Sequence, residues 1–286
     1  MKLRVRFMAG KTLINGTAYT IGGGRTLIGG TGYSIKSGKT LIGGTAYTIS
    51  FGTPVGSLAV GSSLFMNYNG TKTEFLVIHQ GLPSSIYDSS CNGTWVMIKK
   101  MPINNEDWNN YEEVYNPADA YGLMTALNQK VVNMREFITN FEEQVRNTMK
   151  TVKIPYSVGG YSSALYTGSN GFSCKMFLLS ASEVGFVSSA IHQFATDGAK
   201  LDYFESGTSS SANEKRICYY GTDPYAYAEE WWMRTPTWNG SYNGAIVYAD
   251  TDGTVSSTQP DSAGGVRFAF IFPPNTIIDG TYISLS

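Results

Sequence analysis

The stretch EEWWMRTPTWNGSYNGAIVYADTDGTVSSTQPDSAGGVRFAFIFPP, residues Glu229–Pro274, decides the fold class. Four runs in it are rich in apolar, β-branched and aromatic residues: Trp231–Arg234, Ala245–Ala249, Thr254–Ser257 and Val266–Phe272. Gly, Asn and Pro turns separate them, the signature of short strands joined hairpin to hairpin. The C-terminal third is therefore expected to form an antiparallel sheet. Trp231 and Trp232 are neighbours on one strand and point to opposite faces, so at least one belongs to the core.

Upstream the pattern changes. Ile217–Tyr220, Cys174–Leu179, Thr94–Lys99, Thr73–His79 and Ser63–Met66 read as further strands, the last two joined through the turn Asn69-Gly70. Between Pro117 and Lys150, Tyr121, Met124, Leu127, Val131, Met134, Ile138, Phe141, Val145 and Met149 recur at three- and four-residue steps, which predicts two or three helices broken near Asn140. Ser180-Ala181-Ser182-Glu183 has the form of a capping box opening a short helix, and Ile191–Phe204 suggests one or two more. Strands and helices in separate runs predict an α+β domain over residues 53–286, with Gly52–Ser57 as a linker or turn where it starts.

Residues 10–51 are different again: GKTLINGTAYTIGG, GRTLIGGTGYSIKS and GKTLIGGTAYTISF are three copies of a 14-residue unit. In each, two β-prone runs flank Asn15-Gly16, Gly29-Gly30 or Gly43-Gly44, dipeptides suited to the positive φ of a two-residue hairpin turn. Each unit is expected to be one hairpin, with Ile14 opposite Thr17 and Thr12 opposite Tyr19. Residues 1–52 thus read as a β-hairpin repeat arm. An arm of this size buries too little to stand alone. It either assembles with neighbouring subunits or a scaffold, or packs as a meander on its own domain.

Lys+Arg 21 against Asp+Glu 22 gives a net charge of −1, which offers nucleic-acid phosphates or an anionic membrane no attractive field. Charged residues are 15%, against about 25% in an average soluble domain, so Ser, Thr, Asn and Gly must carry solubility. With 32 Gly and 19 Tyr, the composition resembles that of a rigid binding surface, where Tyr gives contact area at low entropy cost. No apolar run reaches the length that spans a bilayer, and the basic start Lys2, Arg4, Arg6 runs into Gly10-Lys11-Thr12 where a signal peptide needs an apolar stretch. The expectation is synthesis in a host cytoplasm without a signal peptide. Cys91, Cys174 and Cys218 are widely spaced and read as buried thiols, with a cross-strand Cys174–Cys218 pair as the other option.

FLVIHQGLPSSIYDSSCNGTW (Phe75–Trp95), VKIPY (Val152–Tyr156), NGFSCKMFLLSASEVGF (Asn170–Phe186), EKRICYY (Glu214–Tyr220), WWMRTP (Trp231–Pro236) and GGVRFAFIFPP (Gly264–Pro274) together resemble an uncharacterised domain family common in phages and prophages of Gram-positive bacteria. The resemblance covers about residues 53–280. Where the family ends in patterns like WWLRSP and GVRPAL, Thr235 replaces the Ser and Phe268 the Pro. The last motif also resembles the C-type-lectin-like fold of phage tropism proteins and formylglycine-generating enzymes, which implies a rigid sheet that displays variable loops.

Enzymatic motifs are absent from the sequence: there is no GxSxG, P-loop or HExxH, and neither His79 nor His192 has a zinc-type spacing to Cys or Asp. Ser84, Ser85 or Cys91 could meet His79 in space, the one route to a hydrolase. Asp250-Thr251-Asp252-Gly253 reads as a turn, because Val255 stands where a calcium loop needs glycine. Gln259-Pro260-Asp261 matches a short galactose-type lectin signature without its Trp-Asn-Asp companion. The expected binding site is the loop with Trp238, Asn239, Ser241, Tyr242 and Asn243, joined by Tyr248, Ser256, Ser257 and Thr258 from the opposed strands. Exposed rings beside amides and hydroxyls suit a sugar or a protein epitope.

These expectations add up to a non-enzymatic virion protein without cofactor or metal, tail-associated and facing a host-surface receptor or glycan. Its partners would be other virion proteins and itself, as a homo-oligomer such as a trimer, with no nucleic acid and no membrane insertion. A capsid decoration or collar subunit without host ligand, and a carbohydrate-active enzyme, are the alternatives.

Overall fold

The computed structural model describes the strand backbones between residues 10 and 50, and residues 53–103, 106–107, 137–157, 164–221, 224–237, 245–258 and 262–278. The repeats form hairpins as expected: β1 (Gly10–Ile14) with β2 (Thr17–Ile21), β3 (Arg25–Ile28) with β4 (Thr31–Ser34), and β5 (Ser37–Ile42) with β6 (Thr45–Ser50). Thr12 pairs with Tyr19 and Ile14 with Thr17, the register a two-residue turn imposes.

In the expected linker or turn, β7 (Thr53–Pro54) is followed by the 3-10 turn Val55–Ser57, and Val55 is buried. β8 (Ser63–Tyr68) and β9 (Thr71–Gly81) meet at Asn69 and Gly70, with φ of 49° and 72°, the left-handed pair a tight hairpin turn requires. β10 (Gly93–Ile98), β11 (Lys100–Met101) and β12 (Glu106–Asp107) follow. Of the expected helical region, residues 117–136 lie outside the described residues. Residues 137–139 are helical, the chain breaks at Asn140, and helix α1 spans Glu143–Thr148. Phe141, Val145 and Met149 are buried, so this part of the apolar stripe is core.

Then come β13 (Val152–Ile154), β14 (Tyr156–Ser157), β15 (Leu165–Tyr166), β16 (Phe172–Cys174) and β17 (Met176–Leu178), the last two replacing one continuous strand. Helix α2 (Ser210–Arg216) precedes β18 (Cys218–Tyr220), β19 (Tyr227–Glu229), β20 (Trp231–Thr237), β21 (Ala245–Ala249), β22 (Val255–Thr258), β23 (Ala263–Gly264), β24 (Phe268–Phe272) and β25 (Ile277–Ile278).

The central sheet has the order β17-β24-β10-β9-β8 and is antiparallel throughout. The expected single C-terminal sheet is therefore divided: β20, β21 and β22 form a three-stranded sheet, while β24 leaves it to lie between β17 and β10. The reason is burial on both faces. Phe75, Val77, Val96, Ile98, Phe268, Phe270 and Phe272 pack in one core, and Leu76, Ile78, Trp95, Met97, Ala269 and Ile271 in a second. Strands buried on both sides read as unbroken apolar runs such as FAFIF, and such a run belongs in the centre of a sheet. Trp232 enters the first core and Trp231 the second, so both are core. β7 pairs with β25, Thr53 opposite Ile278, which brings the two ends of this region together. The described residues are thus mostly antiparallel β-sheet with few helices.

Two helical expectations are overturned. Ser180–Glu183 does form a reciprocal capping box, with the Ser180 N–H donating to Glu183 Oε2 at 2.9 Å and the Glu183 N–H to Ser180 Oγ at 3.1 Å. It closes a single turn, however. Phe186 N–H donates to Ala181 O and Gly185 N–H to Ser182 O, a C-terminal cap with Gly185 at φ +82°. Residues 191–204 contain no helix. Their backbone groups are drawn away instead: Tyr203 N–H donates to Ile78 O, Leu201 N–H to Glu183 O and Ala199 N–H to Tyr87 Oη. Helix α2 is capped by Ser209, whose hydroxyl accepts from Ala212 N–H.

Candidate functional site

Of the expected binding residues, Trp238, Asn239, Ser241, Tyr242 and Asn243 lie outside the described residues. Tyr248, Ser256, Ser257 and Thr258 sit half-buried on β21 and β22. Tyr248 is opposite Ser256 and Ile246 opposite Thr258, so these four share a face. Ser257 is opposite Val247 and faces the other way, a correction to the expected grouping that follows from the two-residue period of a strand. The two faces do different things. Tyr248 packs edge-on against Trp232, centroids 5.9 Å apart, and Thr258 Oγ1 lies 3.1 Å from Ser262 Oγ. Ser257 Oγ instead lies 3.1 Å from His192 Nδ1, and so ties the edge strand to the irregular segment at 188–196.

A buried charge cluster is assembled from four of the sequence motifs. Arg234, fully enclosed on β20, donates through Nη1 to Glu183 Oε2 at 2.6 Å and through Nη2 to Glu183 Oε1 at 2.7 Å. Its remaining donors reach the carbonyls of Pro155, Leu178 and Asp197, so all five are used. Glu183 is satisfied too, accepting from Ser180 N–H and from Tyr87 Oη at 2.7 Å. Burial works to lower the Arg234 pKa, but the facing Glu183 carboxylate overrides it and leaves it raised. Thr235 Oγ1 accepts from Ala181 N–H at 2.8 Å and shares its proton between the two oxygens of Asp197, each at 2.9 Å. Burial raises Asp197 to about 6, with Arg234 and Thr235 acting in the opposite direction.

Two further motif arginines are also buried. Arg216 gathers the carbonyls of Gly253, Val184, Glu205 and Gly207, and its guanidinium lies 4.4 Å from the Phe186 ring centroid. Arg267 donates to Ile98 O and stacks over Trp231 at 5.0 Å. The arginines of EKRICYY, WWMRTP and GGVRFAF thus hold strands and loops together, and the planar five-donor fork suits that task better than lysine.

The hydrolase route fares differently. His79 Nδ1 lies 2.8 Å from Asp202 Oδ2, a close contact that falls short of hydrogen-bond geometry, and its ring meets Trp95 edge-on. His79 Nε2 and Ser84 Oγ are both sealed from solvent and make no hydrogen bond. A nucleophile and base need mutual contact and access to substrate, and these two have neither. Cys91, Cys174 and Cys218 are free and buried, which excludes the Cys174–Cys218 pair in this structure. Burial pushes the Cys91 thiol up to about 11 and raises the other two as well, away from the thiolate form that reacts. Asp250–Gly253 is a turn, with Gly253 N–H donating to Asp250 O and Asp252 Oδ1 accepting from Thr254. Gln259-Pro260-Asp261 lies outside the described residues. Among the described residues no group of three His, Cys, Asp or Glu is gathered as a metal would need.

The exposed large apolar side chains among the described residues include aliphatic ones, Val187 and Ile191 among them, and a cluster of tyrosines. Tyr219, Tyr225 and Tyr227 are 45%, 84% and 49% exposed on the hairpin of β18 and β19, with Tyr220 opposite Tyr227 and edge-on to it at 5.9 Å. Cys218 buries the root of this hairpin, and β11 pairs with β18 to hold it. Sequence reasoning passed over these residues. Four tyrosines within nine positions, 219–227, is the signal that marks them.

A family model described as a domain of unknown function, DUF6273, matches residues 92–274. The chain belongs to the DUF6273 family. The DUF6273 match takes in Glu183, Asp197, Arg216, Arg234 and Arg267, while Tyr87 and most of the Phe75–Trp95 motif lie before it. No curated protein and no solved structure matches the chain.

Proposed function

We propose that this DUF6273 chain is a non-enzymatic phage virion protein, tail-associated, that binds a receptor or glycan on the host surface. Its sheets would serve as a C-type-lectin-like frame, and its hairpin arm would join it to other virion proteins or to further copies of itself. One observation carries this reading. Among the described residues, Glu183, Asp197 and Arg234 are buried and hydrogen-bonded within one cluster, whereas the β18–β19 hairpin carries tyrosines at the surface. Tyr rings stack on sugar C–H faces and their hydroxyls hydrogen-bond, all at little entropic cost. In the sequence, Trp238 and Tyr242, just before β21, add the same chemistry. Homo-oligomers would multiply contacts that are individually weak.

The test is competition. Purified chain, added before infection, should block phage adsorption, and the Y219A/Y225A/Y227A and W238A/Y242A variants should block it less while melting normally. Equal blocking by all three proteins would remove these residues from the site. No blocking by the native chain would favour a capsid decoration or collar subunit without host ligand.

A further inference from the structure

We propose that the hairpin arm recognises a second copy of this chain through the free edges of β2, β4 and β6, which pair across copies into intermolecular antiparallel sheets. This rests on the reading of the arm as an assembly element. Each hairpin is closed only on itself: β1 pairs with β2, β3 with β4 and β5 with β6, and none joins a strand from residue 53 onward among the described residues. A two-stranded hairpin in water is marginal, and its unpaired N–H and C=O groups are a template for another strand.

Sequence distinguishes the two edges. Lys11, Arg25 and Lys39 place one cation on the first strand of each hairpin, a common guard against edge pairing. The second strands, TAYTI, TGYS and TAYTIS, carry no charge and no proline. The open edge is therefore the second strand, three times over.

The occupant follows from register. Thr12 opposes Tyr19, Thr26 opposes Tyr33 and Thr40 opposes Tyr47, with Ile14, Ile28 and Ile42 opposite Thr17, Thr31 and Thr45. All three hairpins thus present the same alternation of edge groups. The second strand of one copy matches the second strand of another about a two-fold axis, the self-complementary arrangement of a closed dimer contact. Within one chain this is hard to reach, because β2 and β4 are each followed by the guarded first strand of the next unit, and β2 approaches β3 without pairing to it. Three such contacts in tandem reinforce one another.

Hydrogen exchange of the full chain over a concentration series tests this. Amides of Thr17–Ile21, Thr31–Ser34 and Thr45–Ser50 should lose about tenfold in protection for about a hundredfold dilution, the square-root dependence of a dimer. In A18K/G32K/A46K that dependence should vanish, with exchange in residues 53–278 unchanged. Protection in the native chain that is absent, or that ignores concentration, would overturn the proposal, as would an undiminished dependence in the lysine variant. Failure to bind host cells would count against the proposed function and leave this result untouched.

Discussion

Arg234 and Glu183 meet through two parallel hydrogen bonds of 2.6 and 2.7 Å, with neither side chain reachable by solvent. A buried pair of this kind is weak evidence for net stability, but removing one member leaves the other charged and desolvated. Arg234→Leu is expected to destabilise the chain by about 3–5 kcal/mol. Arg234→Lys should recover little, since an ammonium cannot serve both carboxylate oxygens and three carbonyls from one plane. Urea denaturation measures both, and a cost below about 1 kcal/mol for either would contradict the role assigned to the pair.

The Thr235 hydroxyl is used twice in the buried cluster. The hydroxyl accepts from Ala181 and donates to Asp197, and serine has the same hydroxyl. Thr235→Ser should therefore cost little. Thr235→Val keeps the shape and strands a buried N–H and a carboxylate, at about 1–3 kcal/mol each. Equal midpoints for the two variants would show that the hydroxyl is dispensable.

Asp197 gives the cluster a pH dependence. Its folded pKa is raised by burial to about 6, so its favourable contribution is complete below the unfolded carboxyl range near 4 and is lost as pH rises through about 6. His79 opposes this. Burial lowers its pKa, the nearby Asp202 and Glu183 carboxylates restore part of the difference, and Lys200 adds to the lowering, so its penalty appears as pH falls below the ordinary histidine range. Comparing the native chain with Asp197→Asn isolates the first effect. The stability of the native chain relative to the variant should rise by about 2 kcal/mol between about pH 7.5 and about pH 4.5. A flat difference would mean that Asp197 does not titrate in this window.

Gly185 closes the single turn after the capping box at φ +82°, with the Glu205 carbonyl where a Cβ would stand. Gly185→Ala combines backbone strain with that overlap and is expected to cost about 2–4 kcal/mol, read as a drop in thermal midpoint. An unchanged midpoint would show that the turn can rearrange freely.

Hairpins, turns and most strands were legible because their determinants are local. Asn15-Gly16 or Asn69-Gly70 sets the register of its neighbours with no help from elsewhere. The segment 191–204 was not legible. Its apolar residues Ile191, Phe194, Leu201 and Phe204 suggest a helix, but Arg234, Tyr87 and Thr237 take its backbone groups from far along the chain. The placement of β24 inside the central sheet is likewise a property of two cores competing for FAFIF. Among the expected binding residues, Tyr248 lies opposite Ser256, whereas Ser257 falls on the other face of the strand pair, which depends on register. Charged motif residues were the hardest to read, since an arginine or glutamate in isolation reads as solvated, and only the fold brings Glu183, Asp197 and Arg234 together.

The measurement that bears most directly on binding without turnover is incubation of the purified chain with isolated host cell walls. Protein retained on the walls and sugar released into solution are followed together. The account predicts retention that weakens in Y219A/Y225A/Y227A or W238A/Y242A, with no release above that of heat-inactivated protein. Release that follows the folded protein, or walls that retain none of it, would contradict the account.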